Sequence, residues 1–279
     1  MWVQVPSSAP KRKGTLFSVL FVYCIFCDLT KFEFLIFLNK KVGRNMFYMI
    51  NEKIRALYER WRGEVQCKYP YLFEQNFSNI FCPGITDDWA KSNIRMLIIG
   101  EEATWGSRSL YPKYEDNELL ECQRWIIDDL STKLSSDTKR CSSNFWKRIY
   151  AFQNAFPNAA FCWSNIDCIN NAVTKGALKE KDRKALHDCD TQLIRELVEL
   201  IQPTHMVFFG WHNTSLKHEF PDLCDVVYPD AFDDKQYLKK NGYIVDTVWK
   251  GIKVVFTYHP QWLKASSNKY IERLIDVLR

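Results

Sequence analysis

The chain has 279 residues, of which 47% are hydrophobic and 15% aromatic, so it can bury a sizeable core and is not a disordered protein. Its formal net charge of +5 comes from residues 1–45, which hold seven basic and two acidic residues, whereas the remaining 31 basic and 31 acidic residues balance. Overall charge therefore gives no support for strong non-specific binding to nucleic-acid phosphates, and any such contact needs a local basic patch.

Residues 1–45 are predicted to lie outside the folded domain, which we assign to residues 46–279. The basic Lys11–Lys13 and the apolar Leu16–Cys27 resemble a secretory signal, but no cleavage pattern follows. The apolar run is also shorter than the ~20 residues of a membrane-spanning helix, so an apolar anchor is the weaker alternative. Val3–Pro6 matches the translation of a transfer-RNA T-arm, and we therefore expect translation to start at Met46 or Met49.

The pattern after residue 45 alternates between helical and strand periodicity, which is typical of an α/β fold with a mainly parallel sheet. Apolar runs predict four buried strands, and a first helix is predicted at Asn51–Val65. The four strands are Arg95–Ile99, Ala160–Ser164, His205–Phe209 and Lys253–Thr257. Further helices are predicted at Asn117–Lys133, Asn144–Phe156 and Leu178–Ile201. The segment Trp211–Gly242 is predicted to be an irregular insertion. A hairpin is predicted to run from Val245–Trp249 through the turn Lys250-Gly251 to Ile252–Tyr258.

Polar residues follow each predicted strand, where ligands bind in open parallel sheets. They are Glu101, Glu102, Asn165, Asp167, Trp211, His212 and His259. An acid, an amide and a histidine suit cleavage of an N-glycosidic bond. A carboxylate stabilises the positive charge that develops on the sugar, and a hydrogen-bond donor stabilises the departing base. The amide of Asn165 can read the imide edge of a pyrimidine.

The sequence resembles the uracil-DNA glycosylase superfamily in motifs that occur in the family's order. Family members carry a Gly-led motif (GQDPYH, GEAPG or GINPG) after the first strand, a second strand ending in Asn, and a late HPSPL or HPAAL motif. The corresponding segments here are Ile99-Gly100-Glu101-Glu102-Ala103-Thr104-Trp105-Gly106, Phe161-Cys162-Trp163-Ser164-Asn165 and Thr257-Tyr258-His259-Pro260-Gln261-Trp262-Leu263. The apolar strand before Gly210 also matches, so the resemblance extends from about Met96 to Leu263.

The resemblance implies a three-layer α/β/α sandwich with a central, mainly parallel four-stranded sheet, and a DNA glycosylase that hydrolyses the N-glycosidic bond of a flipped uracil or related damaged base. His259 would donate to the leaving base and Asn165 would recognise it. Glu102 is the favoured acid, and Glu101 is its competitor. The base would stack on Tyr111 or Trp105, while the DNA wedge would be formed by Trp262 and Leu263.

Departures from the family pattern leave a second interpretation open. Ala103 replaces the usual Pro, Thr104-Trp105 replaces the loop glycine, and Gln261 stands where Ser or Ala is common. The alternative is a catalytically inactive glycosylase-fold module that binds nucleic acid, a nucleotide or a protein partner.

We expect no metal, because the ten cysteines are irregularly spaced and the cysteine ligands of the family's iron-sulfur branch are missing. Free thiols indicate a reducing cytoplasm, and we further expect a monomer without a cofactor. DNA is the expected partner by resemblance, and no membrane association is expected for residues 46–279. Core positions are predicted for Cys162, Cys168, Phe145, Trp146, Phe152 and Phe156, whereas His187 is predicted to be exposed and His205 structural.

Overall fold

Five strands form one sheet in the computed structural model of the chain. They are β1 (Arg95–Glu102), β2 (Ala160–Asp167), β3 (His205–Phe209), β4 (Ile244–Trp249) and β5 (Ile252–Thr257). Their order in the sheet is β2-β1-β3-β5-β4; β4 is antiparallel to β5, and the other neighbours are parallel. The predicted α/β class with a mainly parallel sheet is confirmed. The predicted number of four strands is wrong, because the first arm of the predicted hairpin pairs along its whole length and adds an edge strand.

The structure describes residues 46–73, 78–102, 118–131, 143–169, 179–187, 189, 192–210, 214–227, 242–261 and 267–279. The chain divides into compact units after Asn45, and the unit Met46–Arg279 contains every element described here. Its helices are α1 (46–68), α2 (Glu118–Ser131), α3 (Asn144–Ala155), α4 (Glu180–His187), α5 (Leu193–Ile201), α6 (Thr214–Glu219), α7 (Pro221–Val227) and α8 (Asn268–Leu278). Short 3-10 turns occur at Pro70–Phe73 and Trp89–Lys91. Within this part of the chain, no helix has both the length and the apolar character that crossing a bilayer requires.

Both faces of the sheet are covered, since its strands are apolar on both sides. On one face Trp163 contacts the ring of Phe145 in α3, with centroids 4.7 Å apart, and the hydroxyl of Tyr270 in α8 lies 2.5 Å from that of Thr257. On the other face the hydroxyl of Tyr58 in α1 lies 3.2 Å from that of Ser164. Trp146 and Phe152 are buried as predicted, and Cys162 and Cys168 are core thiols with 0% and 2% exposure.

The turn between β4 and β5 follows the predicted hairpin. Lys250 and Gly251 both have positive φ, at 50° and 79°, as the two central residues of a type I′ turn require. This turn matches the right-handed twist of the paired strands. β5 therefore begins directly after the turn as the antiparallel partner of β4, and it also pairs with β3 in the interior of the sheet.

Two predictions were wrong in the region after β2, one of a single helix and one of an irregular insertion. The single helix predicted at Leu178–Ile201 is two helices, α4 and α5. The backbone N–H groups of Ile194 and Arg195 at the start of α5 donate to a carboxyl oxygen of the buried Glu219, at 3.0 and 3.2 Å. The side chain of Glu219, which is distant in sequence, thus accepts hydrogen bonds from two of the backbone N–H groups that have no partner within the first turn of α5. The predicted irregular insertion contains α6 and α7.

Candidate functional site at the carboxyl ends of the strands

Four residues form a row across the carboxyl end of the sheet. Gly100 of β1 pairs with Asn165 of β2 on one side and with Phe209 of β3 on the other, and Phe209 pairs with Thr257 of β5. Paired positions in a parallel sheet share a face, so all four lie on the face covered by α2, α3 and α8. With strands about 4.8 Å apart, the row spans roughly 14 Å from Asn165 to Thr257.

Gly100 provides the space that the side chain of Asn165 occupies. A Cβ atom on Gly100 would lie less than 3.0 Å from Oδ1 of Asn165 and 3.5 Å from its Cγ. The Asn165 carboxamide therefore leans over β1, towards the middle of the row. Asn165 is only 2% exposed, and its Nδ2 is buried without a hydrogen-bond partner among the residues that the structure describes.

Trp163 lies beneath Asn165 on the same face of β2, because residues two apart in a strand point to the same side. Its ring packs against Phe81, Phe145 and Trp146, with centroid distances of 4.6, 4.7 and 5.6 Å. Its Nε1 lies 3.8 Å from the position that a Cβ on Gly100 would take. This indole N–H is also buried, and it too has no hydrogen-bond partner in the described part of the chain.

His259 follows the end of β5 by two residues and is half-buried. Its Nδ1 accepts a long hydrogen bond of 3.4 Å from the backbone N–H of Gln261. In the neutral ring the proton therefore lies on Nε2, which makes Nε2–H the available donor. Burial and the nearby positive charge of Arg148 both lower the pKa of His259. The imidazole is consequently neutral at neutral pH.

Arg148 is a residue of this region that the sequence interpretation missed. It is 0% exposed, and its guanidinium carbon lies 5.7 Å from the ring centroid of Phe209 and 5.4 Å from that of Tyr270. Burial lowers its pKa to about 10, so it still carries its charge at neutral pH. A buried cation thus lies over the row and close enough to act on His259.

A signal for Arg148 was present in the sequence. It lies three residues after Phe145 and four before Phe152, which puts a charge on the apolar stripe of α3. Trp146 and Phe152 of this helix were correctly assigned to the core, whereas Phe145 is only partly buried, and the charge of Arg148 was not considered.

The acidic candidates extend β1 beyond Gly100. The backbones of Glu101 and Glu102 belong to the strand, and the backbone of Glu102 pairs with that of Asp167. Which of the two acts stays a prediction. Asp167 itself forms a buried ion pair with Nε of Arg183 at 3.1 Å, so its carboxylate is bound to α4.

Several predicted site residues lie outside the described residues. These are the stacking candidates Trp105 and Tyr111, the wedge candidates Trp262 and Leu263, and also Trp211 and His212. Of the remaining sequence predictions, Asn165 and His259 lie at the carboxyl edge of the same sheet, at the two sides of the row.

Two further histidines lie away from the row. His187 is half-buried rather than exposed, because its ring stacks on that of His218 with centroids 4.6 Å apart. His205 begins β3, at the opposite end of the sheet, and its Nδ1 lies 2.9 Å from the hydroxyl of Thr204. Among the described side chains, no group of three His, Cys, Asp or Glu residues could hold a metal ion.

The fold and this row of residues define an α/β protein with a mostly parallel five-stranded sheet and polar residues at its carboxyl edge. No protein-family model matches the chain, and a search of curated proteins finds no match to it either.

Proposed function

We propose that the protein is a DNA glycosylase of the uracil-DNA glycosylase type, which hydrolyses the N-glycosidic bond of a flipped uracil or related damaged base. The observation that carries this proposal is the row itself. The buried amide of Asn165 lies on one side and extends over Gly100, and the neutral imidazole of His259 follows the far side of the row, with the cation of Arg148 nearby.

The leaving base is the group that this arrangement favours. When the N-glycosidic bond breaks, its electron pair goes to the base, which departs as an anion, and the sugar becomes positive. The Nε2–H of His259 can donate to a base oxygen as negative charge develops there. Arg148 adds a fixed positive potential in a site of low dielectric constant, where such an interaction is strong.

A carboxylate is needed on the opposite side of the reaction, to stabilise the sugar and orient the attacking water. Glu102 is our candidate, with Glu101 as the alternative, because both follow Gly100 at the end of β1. The water adds to the sugar carbon and loses its proton to solvent by way of the carboxylate. No cofactor is required by this chemistry.

DNA is the proposed substrate, held by local contacts because the charge of residues 46–279 is balanced. The target nucleotide must leave the base stack to reach the cleft. Trp262 and Leu263, which follow His259 closely in the chain, are the proposed wedge. Trp105 or Tyr111 would stack on the extruded base.

Release of free base from DNA tests the proposal. The full chain should release base from at least one of a set of oligonucleotides that carry uracil or other deaminated or damaged bases, in single- and double-stranded form. His259→Ala and Asn165→Ala should each lower the rate by about 10²-fold or more, as loss of an electrostatic donor does in other enzymes. His205→Ala is the matched control, since His205 lies at the other end of the sheet. Absence of turnover on every substrate would refute the activity.

The inactive binding module is the second candidate, and the balanced charge and the altered Gly-led motif favour it. It predicts binding of an oligonucleotide or nucleotide without base release. Under this alternative, Glu102→Gln leaves affinity unchanged. Under the glycosylase proposal, the same substitution abolishes turnover.

A further inference from the structure

One hydroxyl group joins the backbone segments that lie next to His259. The hydroxyl of Tyr270, in the first turn of α8, donates to the backbone carbonyl of Tyr243 at 2.9 Å. Because this uses its only proton, the hydroxyl of Thr257, which lies 2.5 Å away, donates to Tyr270. The backbone N–H of Tyr258 donates to the same oxygen at 3.4 Å. The hydroxyl of Tyr270 thus makes one hydrogen bond as a donor and two as an acceptor.

These contacts attach the end of β5 and the start of β4 to α8. Thr257 is the last residue of β5 and pairs with Ile244, the first residue of β4. Tyr258 and Tyr243 therefore lie side by side just beyond the paired strands, with ring centroids 4.6 Å apart. Tyr243 has a φ of 61°, which is uncommon for a residue other than glycine, so contacts with its surroundings must keep it there. The hydrogen bond from Tyr270 is one such contact.

The ring of the same side chain contacts the cation of the site. The guanidinium carbon of Arg148 lies 5.4 Å from the ring centroid of Tyr270 and 5.7 Å from that of Phe209, and a cation at this distance is attracted by an aromatic ring. Tyr270 is itself fixed, because its backbone N–H donates to the hydroxyl of Ser267, the N-cap residue of α8, at 3.3 Å. One side chain thus holds Arg148 with its ring and the residues before His259 with its hydroxyl.

We propose that Tyr270 is a positioning residue, which keeps His259 and Arg148 at a fixed separation on the far side of the row. In the proposed reaction, Nε2–H of His259 must point at the leaving base while the cation of Arg148 stays close to it. A displacement of about 1 Å in such a group lowers a rate substantially. This consequence for catalysis rests on the proposed function, whereas the surroundings of His259 can be measured without any substrate.

Removal of the hydroxyl alone separates the two roles of Tyr270. Tyr270→Phe keeps the ring that contacts Arg148 and deletes the three hydrogen bonds to the ends of β4 and β5. The segment that carries His259 then moves more freely, and its imidazole is more often in water and farther from the cation. Burial and the charge of Arg148 both lower the pKa of His259, so this pKa should rise towards its ordinary value in the variant.

An NMR titration of His259 in the full chain tests the inference, with its resonance identified by its absence from His259→Ala. Tyr270→Phe should raise the pKa of His259 and lower the rate of base release at neutral pH about tenfold, the effect of losing one hydrogen bond. Tyr58→Phe is the matched control, because it removes another tyrosine hydroxyl, which lies 3.2 Å from that of Ser164 on the opposite face of the sheet. It should keep the wild-type pKa of His259.

Thr257→Val covers the case in which Tyr270→Phe fails to fold. It keeps the shape of the side chain and removes one of the three hydrogen bonds to the hydroxyl of Tyr270, so it should raise the pKa of His259 by a smaller amount. An unchanged pKa in the folded variants, or an equal rise in Tyr58→Phe, would overturn the role of Tyr270 and leave the glycosylase proposal intact. The expected rise, together with no base release by the wild type, would support that role and refute the glycosylase proposal.

Discussion

Gly100→Ala is the sharpest test of the role of Asn165, because the space above Gly100 is filled by the carboxamide of Asn165. The new Cβ would lie less than 3.0 Å from Oδ1, whereas carbon–oxygen contacts settle at about 3.3 Å or more. The carboxamide must therefore withdraw by up to about 1 Å. A displacement of that size in a group that positions substrate lowers the rate by about 10²-fold.

The stability effect should be smaller than the effect on activity. Insertion of a methyl group into a packed site costs about 1–3 kcal/mol, and the end of a side chain can move more easily than backbone. We would measure the free energy of unfolding in urea together with the rate of base release from an oligonucleotide that carries uracil, or the affinity for that oligonucleotide.

Gly63→Ala supplies the matched control for Gly100→Ala. Gly63 lies in α1, and nothing lies within 4 Å of the position of its Cβ. Alanine there should stabilise the protein by about 0.5–1 kcal/mol and leave the cleft unchanged. A Gly100→Ala protein that keeps the wild-type affinity and rate would refute the assignment of Asn165 to the base.

Three further predictions concern charged groups. Arg148→Met removes a positive charge that lowers the pKa of His259. The pKa of His259 should therefore rise in an NMR titration, and the acid limb of the pH profile of activity should move to higher pH. An unchanged pKa would contradict the proximity of Arg148 and His259. Burial raises the pKa of Glu219 from 4.5 to about 8, so the native state holds an extra proton between these values and loses stability as pH rises through them. Glu219→Gln should remove this pH dependence. In urea unfolding experiments, the free energy of unfolding of the variant minus that of the wild type should increase by up to about 1.4 kcal/mol per pH unit. Equal pH dependence of the two proteins would exclude a protonated Glu219. Arg183→Met removes the positive charge that lies 3.1 Å from the side chain of Asp167, which is 2% exposed. The variant should lower the free energy of unfolding by about 3 kcal/mol. An unchanged free energy of unfolding would show that the ion pair is dispensable.

The sequence predicted the strands well because each is a short apolar run buried on both faces. The predicted ends of β3 and β5, at Phe209 and Thr257, are confirmed, whereas the ends of β1 and β2 were placed too early. The prediction for β1 stopped at Ile99, but the strand continues to Glu102. Its last residues are polar, and what keeps them extended is pairing with Asn165 and Asp167 of β2. Pairing between segments this distant in the chain leaves no trace in local hydropathy.

The same limit applies to the candidate site, where the sequence predicts residues of local motifs but not residues brought together by distant segments of the chain. Asn165 and His259 could be found because each follows an apolar run in the sequence and belongs to a short motif. Trp163 and Arg148 could not be assigned from motifs, since apolar strands and helices commonly contain aromatic residues and an occasional charge. Their importance depends on the strand register and on the angle at which α3 crosses the sheet, which bring them to Gly100 and Phe209.

The two sides of the row differ in charge. Its far side carries a cation at Arg148 and a neutral donor at His259, and both would stabilise negative charge on a ligand. A fully protonated His259 would bind a resting anion more tightly, but the charge of Arg148 works against that state. The pair is therefore suited to a ligand that is neutral when it binds and becomes negative during the reaction. A base that leaves its sugar behaves in this way, whereas a phosphate or a carboxylate ligand is charged from the start.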